Sequence, residues 1–131
     1  MAISCVARLT NSADVPFWVP RGAFYEHFDQ SDFHCREVLN VDIAYSTQWF
    51  EEAENGQLHF LLPTVRLASG KTEFINGRHR TAVLLSRCSR VAIAFAGAEA
   101  VSFARTLALE KVALERKIQL PDLEYVTRFG L

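Results

Sequence analysis

Apolar residues along this chain fall in short runs, and the spacing within each run predicts an element. Val38-Leu39-Asn40-Val41-Asp42-Ile43-Ala44 reads as a strand with Val41 and Ile43 on one face. Ser46 or Thr47 then caps a helix over residues 47–54, with Trp49, Phe50 and Ala53 inward and Glu51, Glu52 and Glu54 outward, until Asn55-Gly56 stops it. Leu58 to Leu67 is mostly apolar, is interrupted at Pro63 and ends at the turn signal Ser69-Gly70-Lys71. Glu73-Phe74-Ile75-Asn76 then forms the second arm of a hairpin. After Gly77 the composition is helical through about Cys88, and Arg90 to Ala96 has the two apolar faces of a buried strand. Residues 98–119 predict the longest helix, because Val101, Ala104, Ala108 and Val112 keep helical spacing and Pro121 lies just beyond.

Residues 1–37 are the least regular. Pro16 and Pro20 bracket Phe17-Trp18-Val19, and neither proline suits a helix interior, so this segment is expected to wrap an aromatic plug onto the core. A short helix over residues 23–30 places Phe24 and Phe28 one turn apart. Strands mixed with helices at short intervals imply an α/β or α+β domain, with a small mixed sheet, flanking helices and a long C-terminal helix. A chain of 131 residues suits one hydrophobic core, so a single domain over 1–131 is expected.

Composition narrows the class. Half of the residues are apolar and 22% are charged, which is globular and neither disordered nor a disulfide scaffold. No apolar run reaches the roughly 18 residues that would span a bilayer. Arg8 follows the short apolar stretch of Met1 to Thr10 instead of preceding it, the wrong order for a secretory signal, so a cytoplasmic protein is expected. Cys5, Cys35 and Cys88 contain no C-x-x-C pair and read as reduced structural thiols. His34, Cys35 and His59 are candidate metal ligands, but adjacent side chains rarely converge on one ion.

Taken alone, the net charge of −1 argues against a phosphate partner, yet it is uneven. Residues 1–65 carry −6, whereas residues 66–90 carry +5 from Arg66, Lys71, Arg78, Arg80, Arg87 and Arg90 against Glu73 alone. The centre of this island is Asn76-Gly77-Arg78-His79-Arg80-Thr81, where a strand meets a glycine and a helix begins at once. Arginines are disfavoured at the positive end of a helix unless an anion sits among them. A phosphate resolves the conflict by taking bonds from backbone N–H groups and guanidinium forks together. Gly77 would let the backbone approach, Thr81 would add a hydroxyl, and His79 would bind as a cation or carry a proton. Glu73 can coordinate a magnesium ion, position a water, or face solvent as a strand residue. The competing account pairs the arginines with Glu51, Glu52 and Glu54.

This stretch resembles the Gly-x-His-Arg box of the ParB/sulfiredoxin superfamily. The order of elements across residues 38–96, including Leu62-Pro63-Thr64-Val65 and Val91-Ala92-Ile93, is similar to that family's core. The resemblance implies a compact ParB/sulfiredoxin-like fold with a nucleotide-phosphate grip at Gly77, His79 and Arg80, with Arg78 standing where sulfiredoxins carry their catalytic cysteine. Sulfinic acid reduction is therefore not expected. It implies ATP with Mg²⁺ as ligand, hydrolysis with His79, Arg80 or Glu73 in catalytic roles, and DNA cleavage in some members. The chain also resembles the small plasmid-borne fertility-inhibition proteins of that superfamily, which implies a bacterial cytoplasmic protein acting on conjugative DNA transfer. Two rival readings stand beside an ATPase or nuclease. One is a non-catalytic protein that docks on a component of a secretion or transfer machinery. The other is a DNA-binding module without turnover, whose affinity would fall steeply with salt.

Overall fold

In the computed structural model, which describes residues 2–28, 49–85 and 87–121 with the side chains of Ala2, Ile3, His79 and Pro121 excepted, two mixed sheets are combined with three helices, an α+β arrangement. The elements are β1 (Ala2–Arg8), β2 (Val15–Pro20), α1 (Arg21–His27), β3 (Phe50–Glu52), β4 (Leu58–Leu61), β5 (Thr64–Ala68), β6 (Lys71–Asn76), α2 (Arg78–Leu85), β7 (Arg90–Phe95), α3 (Ala98–Thr106), β8 (Glu110–Lys111) and β9 (Lys117–Pro121). One sheet has the order β3-β4-β1-β9 and the other β6-β5-β7-β2-β8. In the first, β1 runs parallel to β4 and antiparallel to β9, so Cys5 stands opposite Ile118. In the second, β7 lies between parallel β5 and antiparallel β2, and Val91 to Phe95 are all buried. That burial accounts for its unbroken apolar composition.

The sheets exchange chain at Leu62-Pro63. Leu62 donates its N–H to the Arg8 carbonyl at 3.0 Å, beside β1, while the Pro63 carbonyl accepts the Ala94 N–H at 2.8 Å, beside β7. Proline has no N–H to extend the β4 ladder, so the chain leaves one sheet there and enters the other. Aromatic rings tie α1 and α3 to the second sheet. Phe28 stacks on Phe24 with centroids 4.7 Å apart and meets Phe95 and Phe103 edge-on at 6.1 and 6.0 Å, while Phe17 meets Phe95 at 5.3 Å.

Several expectations hold in these residues. The hairpin turns at Ser69-Gly70, both with positive φ; a helix follows Gly77; and β7 occupies the predicted apolar run. Others are corrected. The irregular N-terminal segment instead supplies β1, β2 and α1, the last over Arg21–His27. Pro16 lies within β2, opposite Ala94, and its carbonyl accepts the Val112 N–H at 3.0 Å. The acidic helix is not formed at its described end: Phe50–Glu52 is a strand, paired with β4 and stacked through Phe50 on Phe60 at 5.2 Å. Asn55-Gly56 is the turn of that hairpin, with Gly56 at φ +81°, because the same dipeptide that stops a helix also reverses a strand. The long C-terminal helix ends at Thr106, and the sequence beyond it forms β8 and β9. The predicted strand over 38–44 and the candidate ligands His34 and Cys35 lie outside the described residues.

Candidate functional site

The head of α2 is fixed by one glycine. Gly77 has φ +86°, and a Cβ there would stand 2.5 Å from the Pro63 Cβ and 2.6 Å from its Cα. Only glycine lets the end of β6 turn into α2 while lying against the sheet crossover. From Arg80 to Leu85 every residue of α2 is buried, with Ala82, Val83, Leu84 and Leu85 in the core, and its first turn has no acidic residue.

Arg80 points back from this helix toward the crossover and is 9% exposed. Its Nη1 donates to the Leu61 carbonyl at 2.6 Å and its Nη2 to Asn76 Oδ1 at 3.3 Å, while Nε is buried without a partner. Its guanidinium carbon lies 5.9 Å from the centre of the Trp49 ring. No carboxylate pairs with it among the described residues, and burial lowers its pKa from the ordinary arginine value. Among the described residues the site therefore holds a buried cation served by neutral acceptors and an aromatic face. Beside it opens a recess of about 340 Å³, with Asn76, Gly77, Arg78 and Arg80 at the helix head and Trp49, Phe74 and Ile75 as its apolar wall.

The other predicted site residues are placed differently. Thr81 is fully buried, and its hydroxyl donates to the Gly77 carbonyl at 2.8 Å, within its own helix. That proton is committed, and Thr81 does not line the recess. Glu73 pairs with Arg66 across the hairpin at 2.8 Å and does not line it either. His79 has its backbone in the first turn of α2, and its side chain is outside the described residues. Glu51, an expected partner of the box arginines, pairs instead with Arg8 at 3.1 Å.

Two cations of the positive island, Arg66 and Arg90, are paired with nearby carboxylates. Arg90 stacks on Trp18 at 4.1 Å and bonds Glu110 at 3.2 Å, and the Arg66–Glu73 pair closes the hairpin. Among the described residues no group of three His, Cys, Asp or Glu could hold a metal ion, and none of the described residues lining the recess carries a carboxylate. Trp49, Phe74 and the Leu61 carbonyl were not among the predicted site residues. Asn76, a polar residue ending an apolar arm just before the box glycine, carried a readable signal, whereas the approach of Trp49 depends on the β3–β4 pairing, which sequence spacing does not reveal.

No family model, curated protein or solved structure matches the chain. No helix of the described residues is long and apolar enough to cross a membrane.

Proposed function

We propose that the recess at the head of α2 binds the phosphate of a nucleotide, with the base against Trp49 and Phe74. The carrying observation is Arg80, a buried guanidinium that no carboxylate pairs among the described residues, which opens onto the recess beside Arg78 and a glycine-led helix start. A phosphate would supply the missing negative charge and accept the first-turn N–H groups of α2. An aromatic wall next to that charge suits a planar base and not a bare inorganic anion.

This is the ParB/sulfiredoxin-like reading reduced to what the geometry supports, with ATP as the first ligand to try. Binding has more support than turnover, because Glu73 is engaged by Arg66 and the Thr81 hydroxyl by its own helix. Hydrolysis would rest on His79 as the group that takes a proton from water. DNA cleavage and action on conjugative transfer rest on the resemblance alone.

Calorimetric titration with ATP tests the reading. Arg78→Ala and Trp49→Ala each should weaken ATP by about tenfold or more, through loss of a charge-assisted bond and of stacking respectively. Unchanged affinity in both variants, or no heat with any nucleoside triphosphate, would overturn the placement. Phosphate release that disappears in His79→Ala separates an ATPase from a binding module. Arg80→Ala is a poor probe, because it also strips the Leu61 carbonyl of its donor.

A further inference from the structure

Among the described residues, Arg78 and Arg80 are the only charged side chains lining the recess at the head of α2. Arg80 is partly committed. Its Nη1 bonds the Leu61 carbonyl and its Nη2 bonds Asn76 Oδ1, which leaves one N–H on each of these nitrogens for a ligand. Its Nε is buried with no partner, so the guanidinium is fixed in place yet incompletely answered. Asn76 also lines the recess, and with its Oδ1 turned to Arg80 its NH2 remains as a donor. The hydrogen-bond ladder of α2 starts at Thr81, whose N–H reaches the Gly77 carbonyl at 2.9 Å. Donors and positive charge are thus gathered within one helical turn, a set that suits the three acceptor oxygens of one phosphate.

The opposite wall is apolar and includes Ile75. Tyr25 and Ile75 are the exposed large hydrophobic residues among those described, and Ile75 is 52% exposed at the edge of this recess. A flat base seated against Trp49 and Phe74 would cover it. The volume of about 340 Å³ lies near the lower end of the roughly 300–1,000 Å³ of small-molecule sites.

Charge then sets the number of phosphates. A phosphate monoester carries close to two negative charges at neutral pH, which the two guanidiniums balance. A triphosphate brings more negative charge than they can answer. A divalent ion carried on that triphosphate would offset the excess but would sit beside two arginines, and no described residue lining the recess supplies a carboxylate to it. Inorganic phosphate would satisfy the donors and leave Ile75 uncovered. We propose that the recess takes a nucleotide by a single terminal phosphate monoester, so that a nucleoside monophosphate binds in preference to its triphosphate. This inference rests on the nucleotide reading above and names its ligand class. The same dianion also ends a 5′-phosphorylated strand.

The test is calorimetric titration of the full chain with the common ribonucleoside 5′-monophosphates, their triphosphates, their nucleosides and inorganic phosphate, each with and without magnesium chloride. In both conditions the best monophosphate should bind at least about tenfold more tightly than its triphosphate, its nucleoside or inorganic phosphate. Arg78→Ala should weaken that monophosphate by about tenfold or more and leave the nucleoside unchanged. A triphosphate that binds as tightly as its monophosphate overturns this inference and leaves the nucleotide reading standing, whereas no heat with any nucleotide overturns both. Inorganic phosphate as tight as the best monophosphate overturns it as well, as does an Arg78→Ala variant of unchanged affinity; if that variant fails to fold, the comparisons on the parent chain decide alone. A 5′-phosphorylated dinucleotide separates the two sources of the monoester: affinity equal to the mononucleotide's assigns it to a strand end, and weaker binding to a free nucleotide.

Discussion

Gly77 satisfies two demands at once, a left-handed backbone conformation and contact with Pro63. An alanine there meets both penalties: positive φ costs a residue with a Cβ about 1–2 kcal/mol, and its methyl would overlap a proline fixed by the bond from Ala94 to its own carbonyl and by the bond of the preceding Leu62 to Arg8. Gly77→Ala should therefore lose about 2–4 kcal/mol, read as a lower midpoint in urea unfolding at unchanged slope. A loss below about 0.5 kcal/mol would show that the crossover yields. Arg80 acts on the same spot from the other side, since its bonds to Leu61 and Asn76 brace β4 and β6 against α2. The box glycine and the concentration of arginines were legible in the sequence because both are local. That Arg80 is buried and the Thr81 hydroxyl internally bonded was not, because burial depends on which distant strands close over the helix.

At the scale of elements, the decisive residue is Ala108. The apolar spacing of Val101, Ala104, Ala108 and Val112 matches a continuous helix, yet Ala108 has φ +55° and its N–H bonds the Arg105 carbonyl at 3.0 Å. α3 has ended at Thr106, two residues earlier, and Val112 is held elsewhere, by its bond to the Pro16 carbonyl in β2. Of four residues on a helical repeat, Val101 and Ala104 thus belong to α3 while Ala108 and Val112 lie beyond it, a coincidence that spacing alone cannot resolve. The buried Ile118 and Leu120 alternate as a strand does, opposite β1. The turn at Ser69-Gly70 and the apolar run of β7 were legible because each is decided by neighbours in sequence; β1 and β2 take their identity from partners more than fifty residues away. Replacing Ala108 with glycine relieves the left-handed strain at some cost in unfolded-chain entropy. Ala108→Gly should stabilise the protein by about 0.5–1 kcal/mol, seen as a higher Tm. A lower Tm would mean that the methyl is worth more than the strain.

Taken as a whole, the molecule is two sheets between which the chain passes repeatedly, at Leu62-Pro63 among other places, and Cys5 reports on the first of them. It sits at 0% exposure in β1, the strand that pairs with both β4 and β9. Burial pushes its thiol up to about 11 from an ordinary 9.0. The folded state thus keeps the proton in a pH range where the unfolded chain has lost it. Stability from this group is complete below pH 9 and is lost as pH rises toward 11, by about 2 kcal/mol in all, since each pH unit between the two values is worth at most about 1.4 kcal/mol. The quantity to measure is the difference between the parent and Cys5→Ala, in which contributions common to both proteins cancel. That difference should be constant from about pH 7 to 9 and then move by about 2 kcal/mol against the parent by pH 11. A difference independent of pH would show that the thiol reaches water, and hence that the sheets part locally at β1 without global unfolding.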